Sequence, residues 1–261
     1  MTQDRDIVLI HGAYAGPWSL DTYRGFLDAR GWRCHVPALR HHDLPPGAEP
    51  DPAFAETSIL DYTADIAAFA EQFETPPVLL GHAVGGLIAQ KVAARGLASG
   101  VVLINPNAPW GMLPETDDER AVARAFMAQG PFWAELNHVT FDLMAPFALN
   151  KLDEATRHAV FERLGPESGR VMFEMFFWMF DDRRAIAVDY DGVTCPVLVV
   201  SGEEDRAVRH QVGAEVAKRY GARGRFHLAP GHAHFLFMEP GWEAVAQICA
   251  DWLDETIVDR S

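Results

Sequence analysis

The chain has 261 residues, 49% hydrophobic and 23% charged, a globular composition long enough to bury roughly three quarters of its unfolded surface without staples. Lys and Arg number 22 against 37 Asp and Glu, a formal charge of −15; this argues against nucleic acid and against an anionic membrane surface, because both demand clustered cations. Three widely spaced cysteines, Cys34, Cys195 and Cys249, with no CxxC, argue against a disulfide framework or a zinc ribbon and read as reduced, buried thiols. The opening MTQDRDIVLIHG shows no basic, apolar leader, and no apolar run nears the roughly 20 residues of a membrane span. A cytoplasmic protein is expected.

In chain order, residues 6–10 (DIVLI) predict a strand buried on both faces, ending at His11-Gly12. Residues 18–30 predict a helix stopped by Gly31, and 32–38 (WRCHVPA) a second strand. The Pro-rich stretch from Arg40 to Pro52 predicts an exposed loop. Ser58 with Asp61 three residues on is an acidic variant of the capping-box spacing, starting a helix that runs to about Phe73. Further strands are expected at 77–81, 100–105, 196–201 and 224–228, with a small-residue helix over 84–95. Strand alternating with helix predicts an α/β fold: a mostly parallel sheet of about six strands flanked by helices.

From about Asn107 to Tyr190 the alternation breaks. This stretch reads helical and is rich in Met and Phe, as in AFMAQGPFW and VMFEMFFWMF. It predicts a helical cap, residues 107–190, inserted into a core made of 1–106 and 191–261. Its aromatic side chains form the cap's own core or line a pocket.

Gly81-His82-Ala83-Val84-Gly85-Gly86 follows a predicted strand and opens a predicted helix. That is the context of the G-x-S-x-G nucleophile elbow, whose small residues permit the sharp turn and whose central residue stands strained above the sheet. Here the central residue is Ala83, and a methyl group cannot attack a carbonyl. Three explanations stay open: Ala83 replaces a parent nucleophile, the protein is a non-catalytic binder, or the match is accidental. The parent residue would be Ser, or Asp as in the Gly-His-Asp elbows of epoxide hydrolases and dehalogenases. Those enzymes usually place Trp next, where this chain has Val84.

With its start DIVLIHGAYAGPW and this elbow, the chain resembles the α/β-hydrolase superfamily, in particular the small esterase and hydroxynitrile lyase branch. The resemblance implies the α/β-hydrolase fold and a triad. Asp205, in VVSGEEDRAV past the fifth strand, matches the family's acid; Glu203 and Glu204 are close neighbours, and a solvated acidic loop is the plainer alternative. The base is His234 or His232, in PGHAHFLFMEP; His234 stands five residues before Glu239, a common family spacing, and is preferred. An imidazole that titrates near neutrality suits proton transfer. The backbone N–H groups of Ala13 and Val84 would form the oxyanion hole. His11 reads as structural. His82 reads as a packing residue that also touches substrate. Tyr14, Trp18 and Trp110 sit on loops expected to border the pocket, though packing explains each equally well.

No set of three metal ligands stands out; His41-His42-Asp43 is adjacent in sequence and unsuited to converge on one ion. The pairs Asp117-Asp118 and Asp181-Asp182 read as solvated loops. No cofactor is implied, and the expected partner is a small-molecule substrate. A homodimer through the apolar cap is an open alternative. The leading expectation is a serine-type hydrolase acting on an ester or lactone carbonyl, its Ser replaced at position 83. Competing expectations are a small-molecule receptor, or a lyase, carbon–carbon hydrolase or cofactor-free oxygenase on the same site. The hydroxynitrile lyases under comparison carry Lys after the catalytic His, where this chain has Phe235.

Overall fold

The computed structural model describes residues 5–44, 48, 50–128 and 130–258. Its strands are β1 (Asp6–Ile10), β2 (Arg33–His35), β3 (Val78–His82), β4 (Gly100–Ile104), β5 (Val197–Gly202) and β6 (Gly224–Ala229). They form one sheet in the order β2-β1-β3-β4-β5-β6, with every neighbouring pair parallel. β1, β3, β4 and β5 are buried along their whole length, as their predominantly apolar runs require when helices cover both faces.

Alternate strand residues divide between those faces. Val8, Ile10, Leu79, Val101 and Val199 pack against α2 (Ile59–Ala70), α3 (Val84–Ala93) and α8 (His210–Arg219). Ile7, Leu9, Leu80, Val102 and Val200 pack against α1 (Asp21–Asp28) and α9 (Trp242–Leu253). The capping box at α2 forms: the Leu60 N–H donates to Ser58 Oγ and the Ser58 N–H to Asp61 Oδ2.

Some expectations are corrected. The second strand is three residues long rather than seven: it is an edge strand, and Pro37 just beyond it has no N–H to donate to a ladder. α8, left unassigned by the sequence pattern, buries only Val212, Gly213, Val216 and Ala217. The Pro-rich loop is not wholly exposed, since the His42 side chain is only 3% accessible; residues 45–47 and 49 of that loop lie outside the described residues. Cys34 is partly exposed, while Cys195 and Cys249 are buried; all three are free thiols. No helix among the described residues is long and apolar enough to cross a membrane.

Between β4 and β5 lie α4 (Asp117–Met127), α5 (Phe141–Phe147), α6 (Glu154–Phe161) and α7 (Gly169–Phe176), the inserted helical cap. Phe126, Phe132, Leu143 and Met172 form a cluster of their own, and Tyr14 from the core reaches into it. After β1 the chain turns to one side of the sheet to make β2, then returns to make β3 on the other side. The loops after β1 and β3 therefore diverge, and at the carboxyl ends of these two strands a crevice opens of the kind in which α/β sheets bind ligands.

Candidate active site

At that crevice β3 turns into α3 through Ala83, which holds φ 50° and ψ −115°. Such a conformation costs a non-glycine residue on the order of 1–3 kcal/mol and persists only where the surroundings enforce it. Here the Ala83 N–H donates to the Ile104 carbonyl at 3.1 Å, and its own carbonyl accepts the N–H of Gly86 at 3.0 Å and of Asn107 at 3.2 Å. The flanking glycines are sterically obligatory: a Cβ on Gly81 would lie 2.2 Å from the Gly85 carbonyl oxygen, and one on Gly85 would lie 2.2 Å from that of Ile10.

The loop after β1 packs directly onto this turn. A Cβ on Gly12 would stand 3.2 Å from the Ala83 methyl and 2.9 Å from His82 Nδ1. Ala13 and Val84 thus flank the methyl, and among the described residues neither N–H donates to another protein group. Val84 is also the first residue of α3, where amide groups are unpaired and the helix dipole favours negative charge.

The loop after β6 brings His234 to Asp205, with Nδ1 and Oδ2 2.8 Å apart and both residues buried. The other Asp205 oxygen accepts the N–H groups of Ala207 at 2.8 Å and Val208 at 2.9 Å. A carboxylate can only accept here, so Nδ1 carries a proton directed at Asp205, and Nε2 is the ring nitrogen turned away from the carboxylate. His232 points elsewhere: its Nδ1 lies 3.2 Å from Glu239 Oε2, which also accepts the Ala233 N–H at 2.8 Å. The Glu239 spacing therefore reflects a clasp on the loop, not a contact with His234. Glu204 pairs with Lys151, and Glu203 accepts the Gly231 N–H, so neither competes for His234.

Besides Glu239, two more side chains hold the His234 loop. His82 Nε2 donates to the His234 carbonyl at 3.0 Å, with the rings 4.8 Å apart. Burial, then the neighbouring His234, push the His82 pKa well down, so this ring is neutral. Asn105, at φ 43°, donates to the carbonyls of Ala233 at 2.8 Å and His234 at 2.9 Å and accepts the Gly202 N–H at 2.8 Å. Sequence alone does not single out Asn105; its place just past the buried β4 is the one local signal for it. His11 is structural: the Leu39 N–H donates to Nε2 at 3.1 Å, leaving Nδ1 to donate to the Gly12 carbonyl. Burial above all, then His42, lower its pKa to about 3.

Above the Ala83 methyl lies a cavity of about 120 Å³. Tyr14, His82 and His234 line it from the core, and Phe126, Met172 and Phe176 from the cap. No Asp, Glu, Lys or Arg among the described residues lines it. Tyr14 offers only its ring, because its hydroxyl donates to Asn137 Oδ1 at 2.5 Å, with Met172 Sδ 3.1 Å away. Trp110 is not in this wall: its indole packs edge-on against Trp178 with the Arg184 guanidinium 5.3 Å away, so packing is its role. Trp18 stacks under Arg163 and borders a separate cavity. Asp181, read as solvated, is buried and accepts from Arg170 Nη2 and the Ala185 N–H. Among the described residues no group of three or more His, Cys, Asp or Glu could hold a metal ion.

A parallel sheet with this order, a strained elbow after its third strand and a His–Asp pair brought to that elbow define a protein of the α/β-hydrolase class. The α/β hydrolase family model matches residues 7–248, and the chain belongs to that family. A pyrethroid hydrolase from Sphingobium wenxiniae is 36% identical over 84 residues, a stretch covering 31% of this chain and 28% of that protein. An extracellular α/β-hydrolase from a Paenibacillus species superposes with a TM-score of 0.70 at 19% identity, covering 95% of this chain and 98% of that one. A pyrethroid hydrolase from Sphingobium faniae does so with a TM-score of 0.66 at 18% identity, covering 96% and 97%. At these identities the superpositions speak for the fold.

Proposed function

We propose that this chain is the nucleophile-less form of a serine-type hydrolase that cleaves an ester or lactone carbonyl of a small hydrophobic or aromatic molecule. The carrying observation is that His234 is aligned on Asp205 at 2.8 Å beside an elbow still held at φ 50°. That pair and that turn are what support the hydrolase reading. In the parent form a Ser at position 83 would attack the carbonyl carbon while His234 Nε2 takes its proton. Asp205 would stabilise the imidazolium, and the N–H groups of Ala13 and Val84 would receive the developing alkoxide, each such donor contributing about 3–4 kcal/mol. His234 would then protonate the departing alcohol. A water, deprotonated by the same imidazole, would release the acid and restore the Ser.

The cavity supports the substrate class. Its volume of about 120 Å³ is comparable to the roughly 150 Å³ engineered apolar cavity that takes up benzene. The S. wenxiniae protein matched over 84 residues is a pyrethroid hydrolase, which supports the hydrolase part of this reading. Ala83 itself favours a second reading: as it stands, the chain is a receptor for a neutral, benzene-sized ligand, with no acyl-enzyme formed.

Ala83→Ser tests both. The expected outcome is labelling by a fluorophosphonate and turnover of short aromatic p-nitrophenyl esters, with His234→Ala in that background abolishing turnover. A Ser form that neither labels nor turns over, beside an Ala83 chain that binds such a ligand tightly, would replace the hydrolase reading with the receptor.

A further inference from the structure

We infer that Glu167, a cap residue remote from the His–Asp pair, is a positioning residue that sets the Ala13 N–H as an oxyanion donor. The inference rests on the hydrolase reading for its consequence, though not for its geometry. Tyr14 follows Ala13 and holds φ 63°, a left-handed conformation that a bulky residue adopts only under constraint. All of its polar groups are held by the cap. Its carbonyl accepts the Gly165 N–H at 2.8 Å, its N–H points at Glu167 Oε2 at 3.4 Å, and its hydroxyl donates to Asn137. Asn137 and Glu167 in turn exchange backbone hydrogen bonds of 2.8 and 2.9 Å.

Glu167 is the node of this clamp. It is fully buried, and both of its oxygens are engaged. Oε1 accepts the Tyr62 hydroxyl at 2.7 Å and the Ser168 N–H at 2.8 Å. Oε2 faces the Tyr14 N–H and His42 Nε2 at 3.2 Å. One carboxylate thus ties together α2, the loop carrying His42, the loop after β1 and the strap leading into α7. A buried carboxylate is costly without partners. Here its partners are the elements that fix the backbone beside the Ala83 methyl, so removing its charge should let Tyr14 relax and turn the Ala13 N–H away.

Two measurements test this. In the Ala83→Ser enzyme, Glu167→Gln should lower kcat per fluorophosphonate-titrated site about 10–100-fold, the scale of a misplaced oxyanion donor, with KM within about threefold. In the unmodified chain, hydrogen exchange followed by NMR should show the Tyr14 amide losing protection in Glu167→Gln while β4 amides keep theirs. A purely structural role would lower the melting temperature and the titratable fraction but leave kcat per site unchanged, and that result overturns the inference. If Ala83→Ser shows no turnover, the hydrolase reading fails separately, and unchanged Tyr14 exchange in Glu167→Gln then overturns the clamp by itself. Should Glu167→Gln not fold, Tyr62→Phe and His42→Asn each remove one partner; a fall in kcat per site of about threefold or more in both is expected, and no change in either overturns it.

Discussion

Ala83 keeps φ 50° because the carbonyl of Ile104 and the N–H groups of Gly86 and Asn107 grip its peptide groups. A Cβ there is strained, while the extra backbone freedom of glycine costs an unfolded-state entropy of about 0.4–1 kcal/mol. Ala83→Gly should therefore stabilise the fold by about 1 kcal/mol, a rise of about 2–4 °C in melting temperature. Scanning calorimetry reads it, and a fall would show the elbow unstrained. Asn105 is the opposite case. It is 1% exposed and serves the carbonyls of Ala233 and His234 and the N–H of Gly202. Asn105→Ala strands these buried groups and should cost about 3 kcal/mol in urea unfolding; a loss under about 1 kcal/mol would mean that water replaces the amide.

Among elements, the cap is attached unevenly. α7 is pinned to the start of α2 by Glu174, which accepts from Ser58 Oγ at 2.6 Å, the Ile59 N–H at 2.8 Å and Arg170 Nε at 2.8 Å. α4 is attached through Arg206–Asp118, about 40% exposed on both sides, and through Arg209–Glu119. Exposed pairs of the first kind contribute little. The buried His42–Glu167 pair makes the cap–core contact pH-dependent. Burial lowers the His42 pKa, but the charge and hydrogen bond of Glu167 outweigh it and the net shift is upward from 6.5. Burial raises Glu167, but His42 and the hydrogen bonds from Tyr62 and Ser168 outweigh it and the net shift is downward from 4.5. His11, Tyr62 and Asp43 also face the imidazole, but they do not reverse this direction. The His42 contribution is complete below about pH 6.5 and is lost as pH rises through its raised value; that of Glu167 is complete above about pH 4.5 and is lost as pH falls through its lowered value. The stability difference between the chain and His42→Asn should thus be greatest near pH 5–6 and shrink on the alkaline side. Urea unfolding across pH measures it, and a difference flat from pH 5 to 9 would contradict the pairing.

For the whole molecule, the strand order places the loops after β1 and β3 on either side of one crevice, and the cap closes it with apolar side chains. Because no Asp, Glu, Lys or Arg among the described residues lines the cavity, an ion inside it would lose hydration without a full counter-charge. A neutral aromatic such as toluene, at about one hundred times its Kd, should raise stability by about 2.7 kcal/mol. Benzylamine of like size should give no thermal shift, and equal shifts for the two would place the binding elsewhere.

The α/β architecture was legible in the sequence because strands covered on both faces carry apolar side chains at successive positions, as Ile7–Ile10 and Val101–Ile104 do. The elbow was legible because only glycine fits where Gly81 meets Gly85 and where Gly85 meets Ile10. The spacing around His234 and Asp205 was legible as a family pattern, and the structure brings the two side chains together. Local sequence could not say that His232 turns to Glu239, that Trp110 packs away from the cavity, or that His42, Asp181 and Glu167 are buried. Each of those outcomes depends on a partner far along the chain: Glu167 lies 153 residues from Tyr14, 125 from His42 and 105 from Tyr62. A charged residue in a polar loop has the same local signature whether solvent or a distant hydroxyl receives it. Only the folded packing of cap on core decides which.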